Sequence, residues 1–207
     1  MNKEIISLKC ECGAVEGELT INKSLSNHVV CCCDDCQTYA QYLGRRNLLD
    51  EFDGTELFQT APSYIKITKG HEHISCLRLS PKGLYRWYAG CCNFPMVNTL
   101  DAKIPFSGVV SAFVSDEEKS KLGDIQSYNM MKYSSVEHKS WPKKGFLKFS
   151  KMAGLILLKL ISIGSILRLT KPNSFFDMDS GLPKVEPQIL SKDEREYTRS
   201  KIAHLGK

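Results

Sequence analysis

Three thiols on a C-x-C-x-x-C frame, Cys31, Cys33 and Cys36, sit in the stretch HVVCCCDDCQTYAQYL between His28 and Leu43. In an extended C-x-C the two outer side chains share one side, and C-x-x-C makes a tight turn, so the three sulfurs can converge on one point. Zinc takes thiolates at about 2.3 Å and completes a tetrahedron, which leaves a fourth position to fill. A distant residue in that position closes the site and makes it structural. Water or substrate there leaves it open and able to do chemistry. Cys32, interposed, points away from its neighbours and is a bystander.

The other cysteines fall into two groups and a singleton. Cys10 and Cys12 form a second C-x-C, which needs ligands from elsewhere, and AGCCNFPM, with Cys91 and Cys92, can supply them. Cys76 lies alone in the strand-like run HISCLRLS and reads as a small buried hydrophobe. His28, His71 and His73 are further potential ligands, although KGHEHIS reads as an exposed turn. Asp34 and Asp35 are too close together to flank a substrate as an acid/base pair; helix capping or bonding to a ligand suits them better. No Ser–His–Asp order, phosphate-cradling glycine loop or dinucleotide fingerprint is present.

Nine cysteines in 207 residues call for a redox reading. The start, MNKEIISLKC, has no apolar run of signal-peptide length, so the expectation is a cytoplasmic protein with reduced thiols, which favours metal ligation over disulfides. Hydrophobic content of 42% and charged content of 25% are ordinary for a globular chain with a core. The net charge of +5 is uneven: residues 139–207 carry 14 Lys and Arg against 6 Asp and Glu, and the rest is slightly acidic. A basic tail suits nucleic acid or an anionic lipid surface. No aromatic–basic recognition motif accompanies the charge, so no nucleic acid is expected, and a solvated surface is the preferred reading.

The elements that must position the thiols are mostly strands. Eight short runs up to about residue 115, rich in β-branched and aromatic residues, are punctuated by Gly, Pro, Asn, Asp and Ser: EIISLKC, AVEGELTI, HVVCC, TELFQT, SYIKITKG, HISCLRLS, GLYRWYAG and FSGVVSAFV. DDCQTYAQYL reads as a short helix directly after the cysteine cluster. The fold expected is mainly β with a helical C-terminal extension, divided as a zinc-binding domain over 1–115 and a helical, basic extension over 116–207. Within the extension, Phe146–Thr170 is apolar enough for a helix of six or seven turns, and Ser191 with Glu194 stands at capping-box spacing before a last helix. Between Met152 and Leu167 only Lys159 is charged, but the run is short of the roughly 20 residues a bilayer needs. A buried or partner-facing helix is preferred to peripheral membrane contact, and a span is not expected.

These motifs together resemble the glutathione-dependent formaldehyde-activating enzyme and centromere protein V family, over roughly residues 5–115. CECGAV supplies its C-x-C-G element, CCCDDC follows 19 residues later as its C-x-C-x-x-C, and GCCNFPM matches its distal F-C-x-x-C-G-x-P in part. Cys92 falls on the second distal cysteine and Pro95 on the proline; Ala89 replaces the first cysteine and Asn93 the glycine. The resemblance implies a β-tent of antiparallel sheets with one or two zinc ions. Cys10 and Cys12 would share a structural zinc with the distal pair, while Cys31, Cys33 and Cys36 would hold a catalytic zinc with an open position. With Ala89 present, either Cys91 joins Cys92 as the fourth structural ligand, which needs a bent backbone, or that site is incomplete.

Two functional expectations follow. One is a zinc-dependent carbon–sulfur lyase acting on the adduct of a small aldehyde with a thiol such as glutathione, its carboxylates met by Arg45, Arg46 or Arg86, candidates by position alone that otherwise read as surface arginines. The other is a non-catalytic zinc-stabilised module whose basic, apolar C-terminal part contacts a protein, a membrane surface or nucleic acid. The state of association is open.

Overall fold

The structure is a computed structural model that describes residues 4–205. Each of the eight expected runs carries a strand. In the first two, β1 (Glu4–Lys9) and β2 (Glu16–Ile21), Ile6, Leu8, Leu19 and Ile21 alternate inward while charged residues face out. With β5 (Ile65–Lys69) they form a three-stranded antiparallel sheet in the order β1-β2-β5.

The second sheet has eight strands. Its centre is β3 (Asn27–Cys31), β4 (Thr55–Thr60), β6 (Ile74–Arg78), β7 (Tyr85–Ala89), β8 (Phe94–Thr99) and β9 (Ser107–Val110). Two short strands from the extension, β10 (Ser127–Asn129) and β11 (Gln188–Ile189), complete the order β10-β3-β4-β9-β8-β7-β6-β11. The main core lies between the sheets, with Ile6, Leu19 and Ile65 from the small sheet and Phe58, Trp87 and Met96 from the large one. On the other face of the large sheet, α1 (Asp34–Tyr42) is followed by Leu43, and Tyr39 and Leu43 pack on Leu77. Strands covered on both faces bury every residue, as β8 and β9 do.

The fold is thus mainly β, as expected, with three departures. The first is β8, read in the sequence only as a cysteine motif. Its Pro95 cannot donate to a ladder, and it sits where the β7–β8 register shifts between Trp87 and Tyr88, the kind of irregularity that tolerates proline in a sheet. The second is that β10 and β11 pair in parallel, with β3 and β6 respectively, so the large sheet is not wholly antiparallel.

The third is the apolar helix. It runs over Lys151–Ile166 as α2, shorter than the expected Phe146–Thr170. The Phe146 amide is engaged by the Tyr128 carbonyl at 2.8 Å, and the Lys148 carbonyl accepts from the Met130 amide at 3.2 Å, so those residues are extended against β10. Ser150 then caps the helix by accepting from the Ala153 amide at 3.0 Å. At the other end Arg168 takes a left-handed φ of 54°, and the Leu169 amide reaches back to the Gly164 carbonyl at 2.8 Å, a Schellman-type stop. The last helix, α3 (Lys192–Ser200), starts at Ser191 with the expected capping box. Among the described residues no helix is long and apolar enough to cross a membrane.

The extension also reaches the main core. Phe175 and Phe176 are both buried, with ring centroids 5.0 and 5.5 Å from that of Trp87, and Phe176 lies edge-on to Tyr85 at 5.1 Å. Truncating a buried phenylalanine loses its transfer energy and leaves a cavity, about 3–5 kcal/mol. Phe175→Ala should therefore lower the unfolding free energy by that amount in a urea titration followed by Trp87 fluorescence. A loss below about 1 kcal/mol would show that this aromatic cluster does not tie the extension to the core.

Candidate metal centres

The first candidate site is built from two hairpin turns, one from each sheet. The β1–β2 register closes at Lys9 opposite Glu16, leaving residues 10–15 as a turn. Inside it the Cys10 amide donates to the Val15 carbonyl at 3.0 Å, and Gly13 takes a φ of 72°. The β7–β8 register closes at Ala89 opposite Phe94, leaving residues 90–93 as the second turn. There Asn93, directly after the two adjacent cysteines, adopts a left-handed φ of 52°.

The four sulfurs of Cys10, Cys12, Cys91 and Cys92 lie within 4.8 Å of one another, a group that could hold a metal ion. Cys10 to Cys12 is 3.6 Å, Cys12 to Cys91 is 3.3 Å and Cys91 to Cys92 is 3.9 Å. A tetrahedron of thiolates about 2.3 Å from zinc has edges of about 3.8 Å, so the donor set and its size fit that ion. The Val15 amide donates to the Cys10 sulfur at 3.2 Å. A hydrogen bond from the Ala14 backbone, then sulfur contacts with Cys91 and Cys92, lower Cys12 to about 7. Of the two alternatives open at Ala89, this geometry is that of Cys91 joining Cys92.

The second candidate site is a strand-to-helix junction. Cys31 ends β3, Cys33 is the N-cap of α1, and Cys36 lies in the first turn of that helix. Cys33 has extended angles (φ −62°, ψ 152°) and its sulfur accepts from the Cys36 amide at 3.4 Å. The three sulfurs lie within 4.8 Å of one another and could hold a metal ion; among the described residues no fourth Cys, His, Asp or Glu joins the group. Cys32 faces the other way, fully buried with its sulfur 3.5 Å from that of Met131. Gly54 leaves room for it, because a Cβ there would stand 3.0 Å from the Cys32 sulfur and 2.2 Å from Val30.

The extension braces this junction. The Cys32 amide donates to the Asn129 carbonyl at 2.9 Å, and the buried Gln37 side chain donates to the carbonyls of Cys32 and Tyr133 at 2.9 and 2.8 Å. Asp34 and Asp35 do not cap the helix, since Cys33 does. They pair with α3 instead: Arg195 meets Asp35 at 2.7 Å, and Arg199 meets Asp34. These pairs are partly exposed, so each contributes about 0.2–1 kcal/mol.

Arg86 was expected by position alone, with a surface role as the alternative, and it is buried. It rises from β7 with its guanidinium 5.2 Å from the Tyr39 ring centroid and 3.9 Å from the Cys36 sulfur. Sulfur contacts from Cys31 and then Cys33, with Arg86 adding to them, hold the Cys36 thiol well below its usual range, while Cys31 and then Cys36 push Cys33 up. Three thiolates side by side therefore require a cation beyond Arg86.

The remaining candidates stand elsewhere. Arg45 is spent on Glu11 at 2.6 Å and on the Cys92 carbonyl at 2.5 Å, so it braces the four-cysteine turn. Arg46 pairs with Asp53 at 3.1 Å. His28 bonds the Gly123 carbonyl at 2.7 Å and Glu56 at 2.8 Å, away from both cysteine groups. His71 and His73 lie in a short 3-10 turn, as expected, and Cys76 is buried. A cavity of about 510 Å³ lies beside Cys10, Phe94 and Val114, and one of about 280 Å³ separates α1 from α3 near Tyr42 and Tyr197; neither is lined by the three-cysteine group.

Residues 1–186 match a family described as a family of unknown function, DUF6151. No curated protein matches the chain. A crystal structure of a Rhodobacter sphaeroides protein, a structural-genomics target, is 17% identical, with a TM-score of 0.43 over 58% of this chain and 97% of that one.

The opposed directions of Cys32 and Cys33 give a test. Cys32→Ala should keep the metal content of the wild type by elemental analysis, at a stability cost of about 1 kcal/mol for the lost sulfur contact. Cys33→Ala should lose the metal of this group alone. Equal metal loss in both would refute the division of roles.

Proposed function

The chain belongs to that family of unknown function, and we propose that it is a zinc protein with one structural site and one site open to a small thiol. Cys10, Cys12, Cys91 and Cys92 form the structural site. Cys31, Cys33 and Cys36 form the other. The observation that carries the reading is the three-sulfur group with no fourth donor among the described residues, set beside a four-sulfur group in the same chain.

A zinc ion held by three thiolates supplies deprotonation of an incoming thiol and fixes its sulfur in place. Arg86 offsets the formal negative charge of three thiolates on a divalent ion, which would otherwise repel a fourth anionic sulfur. Cys31 and Cys33 are only half-buried, which leaves the fourth position a route to solvent. The first turn of α1, with the amides behind Cys33, adds the positive end of a helix dipole at the same place.

The reaction class that suits this site is addition of a thiol to a small aldehyde and its reversal, a carbon–sulfur lyase. A C–S bond forms, the thiol proton passes to the carbonyl oxygen, and neither oxidant nor reductant is needed. The resemblance of CECGAV and CCCDDC to the formaldehyde-activating family supports glutathione and formaldehyde as the pair. A cytoplasmic location, where glutathione is abundant and thiols stay reduced, suits the same chemistry.

One observation favours the second reading, a zinc-stabilised binding module. Asp34 and Asp35, directly after Cys33, are clamped by Arg199 and Arg195 of α3. Cobalt substitution separates the two readings. Glutathione should change the thiolate-to-cobalt absorption of the wild type, and Cys33→Ala should abolish that change. A spectrum indifferent to glutathione, both in the wild type and after Arg195→Ala with Arg199→Ala loosens α3, means a closed structural site and rejects the lyase.

A further inference from the structure

The outward face of α2 and the segment leading into it lie outside both cysteine groups. Twelve large apolar side chains are exposed in the described structure, and eight of them fall between Phe146 and Leu167. One side of α2 is packed: Ala153, Leu160 and Gly164 are buried, Leu160 clusters with Leu25, Ala61 and Phe106, and a Cβ on Gly164 would stand 2.9 Å from Pro105. The opposite side is just as apolar and faces solvent, with Met152 at 65%, Leu155 at 61%, Leu158 at 60% and Ile166 at 79% exposure. At about 100° per residue, Met152, Leu155, Lys159 and Ile166 fall within about 60° of one another around the helix axis. The apolar side chains therefore line one side of α2, and Phe146, Leu147 and Phe149 are exposed in the segment leading into it.

Charge surrounds this strip with a single sign. Between His138 and Phe176 the chain has eight Lys and Arg and no Asp or Glu. Lys143, Lys148 and Lys151 stand at the N-terminal end of the strip and Arg168 and Lys171 at the other, all exposed. Among the described residues no carboxylate pairs with any of these five, in contrast to the lysines of the sheet edges, such as Lys69 with Glu16 at 3.0 Å.

We propose that this strip docks the protein on an anionic lipid surface, α2 lying parallel to the bilayer with its outer face in the headgroup–acyl boundary. Apolar side chains flanked at both ends by unpaired cations match a surface that is negative outside and apolar beneath. Lys159, midway along the strip, has a stem long enough to keep its ammonium among the headgroups while its methylenes stay below. A second copy is a poor occupant, because a two-fold contact would bring two such basic segments face to face. Nucleic acid would use the cations and leave the leucines and phenylalanines in water. Insertion stops at the boundary: α2 has 16 residues, about 24 Å of helix against a hydrocarbon core of about 30 Å, and its inner face is held by Phe106 and Leu25. Such docking would hold the protein at a membrane surface reversibly.

Co-sedimentation of the full chain with vesicles tests this, using phosphatidylcholine alone and phosphatidylcholine with about 30% phosphatidylserine. The wild type should partition at least about tenfold better onto the anionic vesicles, and about 0.5 M salt should release it. Leu155→Glu with Leu158→Glu should weaken that partition at least about tenfold through the lost apolar insertion. Lys143→Gln with Lys148→Gln and Lys151→Gln, a set confined to exposed side chains, should weaken it to a similar degree, with the melting temperature and metal content unchanged. Equal pelleting with both vesicle types, or variants that pellet as the wild type does, overturns the proposal. So does a wild type that ignores vesicles but forms a dimer dispersed by Leu155→Glu, or that captures only an acidic protein.

Discussion

The meeting of two hairpin turns at the four-cysteine cluster is the contact on which the arrangement of the two sheets rests. The β1–β2 turn belongs to the three-stranded sheet and the β7–β8 turn to the eight-stranded one. Sheet-on-sheet packing through apolar side chains is non-directional and tolerates sliding, whereas sulfurs 3.3 to 3.9 Å apart admit one relative position. Gathering four thiols at that spacing has little use without a cation, because any thiolates formed would repel one another. A metal here would join the sheets at one end of the core, while Trp87 and its aromatic neighbours fill it further in.

The three-cysteine group obeys a different constraint. It is local, confined to six residues at a strand-to-helix junction, and adds no link between distant parts of the chain. Its surroundings come from far away instead. Asn129 and Tyr133 hold the backbone of the junction, Arg86 brings a buried positive charge to Cys36, and α3 pairs with both aspartates that follow Cys33. A buried guanidinium is tolerated because it lies over the Tyr39 ring and beside the Cys36 sulfur, whose thiol is held well below its usual range.

The extension has a double character for a related reason. Its inward residues complete the fold: Phe175 and Phe176 close the main core, and β10 and β11 cover both edges of the large sheet, which would otherwise expose unpaired backbone groups. Its outward residues along α2 include Met152, Leu155, Leu158 and Ile166, all exposed among the described residues. A helix apolar on both faces normally sits deep in a protein; here only one face does.

The sequence by itself determined the local features. Short runs rich in β-branched and aromatic residues, bounded by turn residues, placed all eight expected strands, Ser191 and Glu194 marked the start of α3, and the spacing of Cys31, Cys33 and Cys36 was enough to converge three sulfurs, since a strand and a helix turn dictate where neighbouring side chains point. Cys32 could be set aside on the same ground. Only the tertiary structure decided what joins residues far apart. Whether Cys91 and Cys92 could both join Cys10 and Cys12 hung on how the β7–β8 turn meets the β1–β2 turn. Arg86 looked like any surface arginine until β7 was known to pass beneath α1. The pairing of Asp34 and Asp35 with Arg199 and Arg195, and the two-faced exposure of α2, leave no periodic trace. Contacts across 160 residues depend on how sheets and helices stack, and that stacking follows the sum of many weak apolar contacts rather than any one motif.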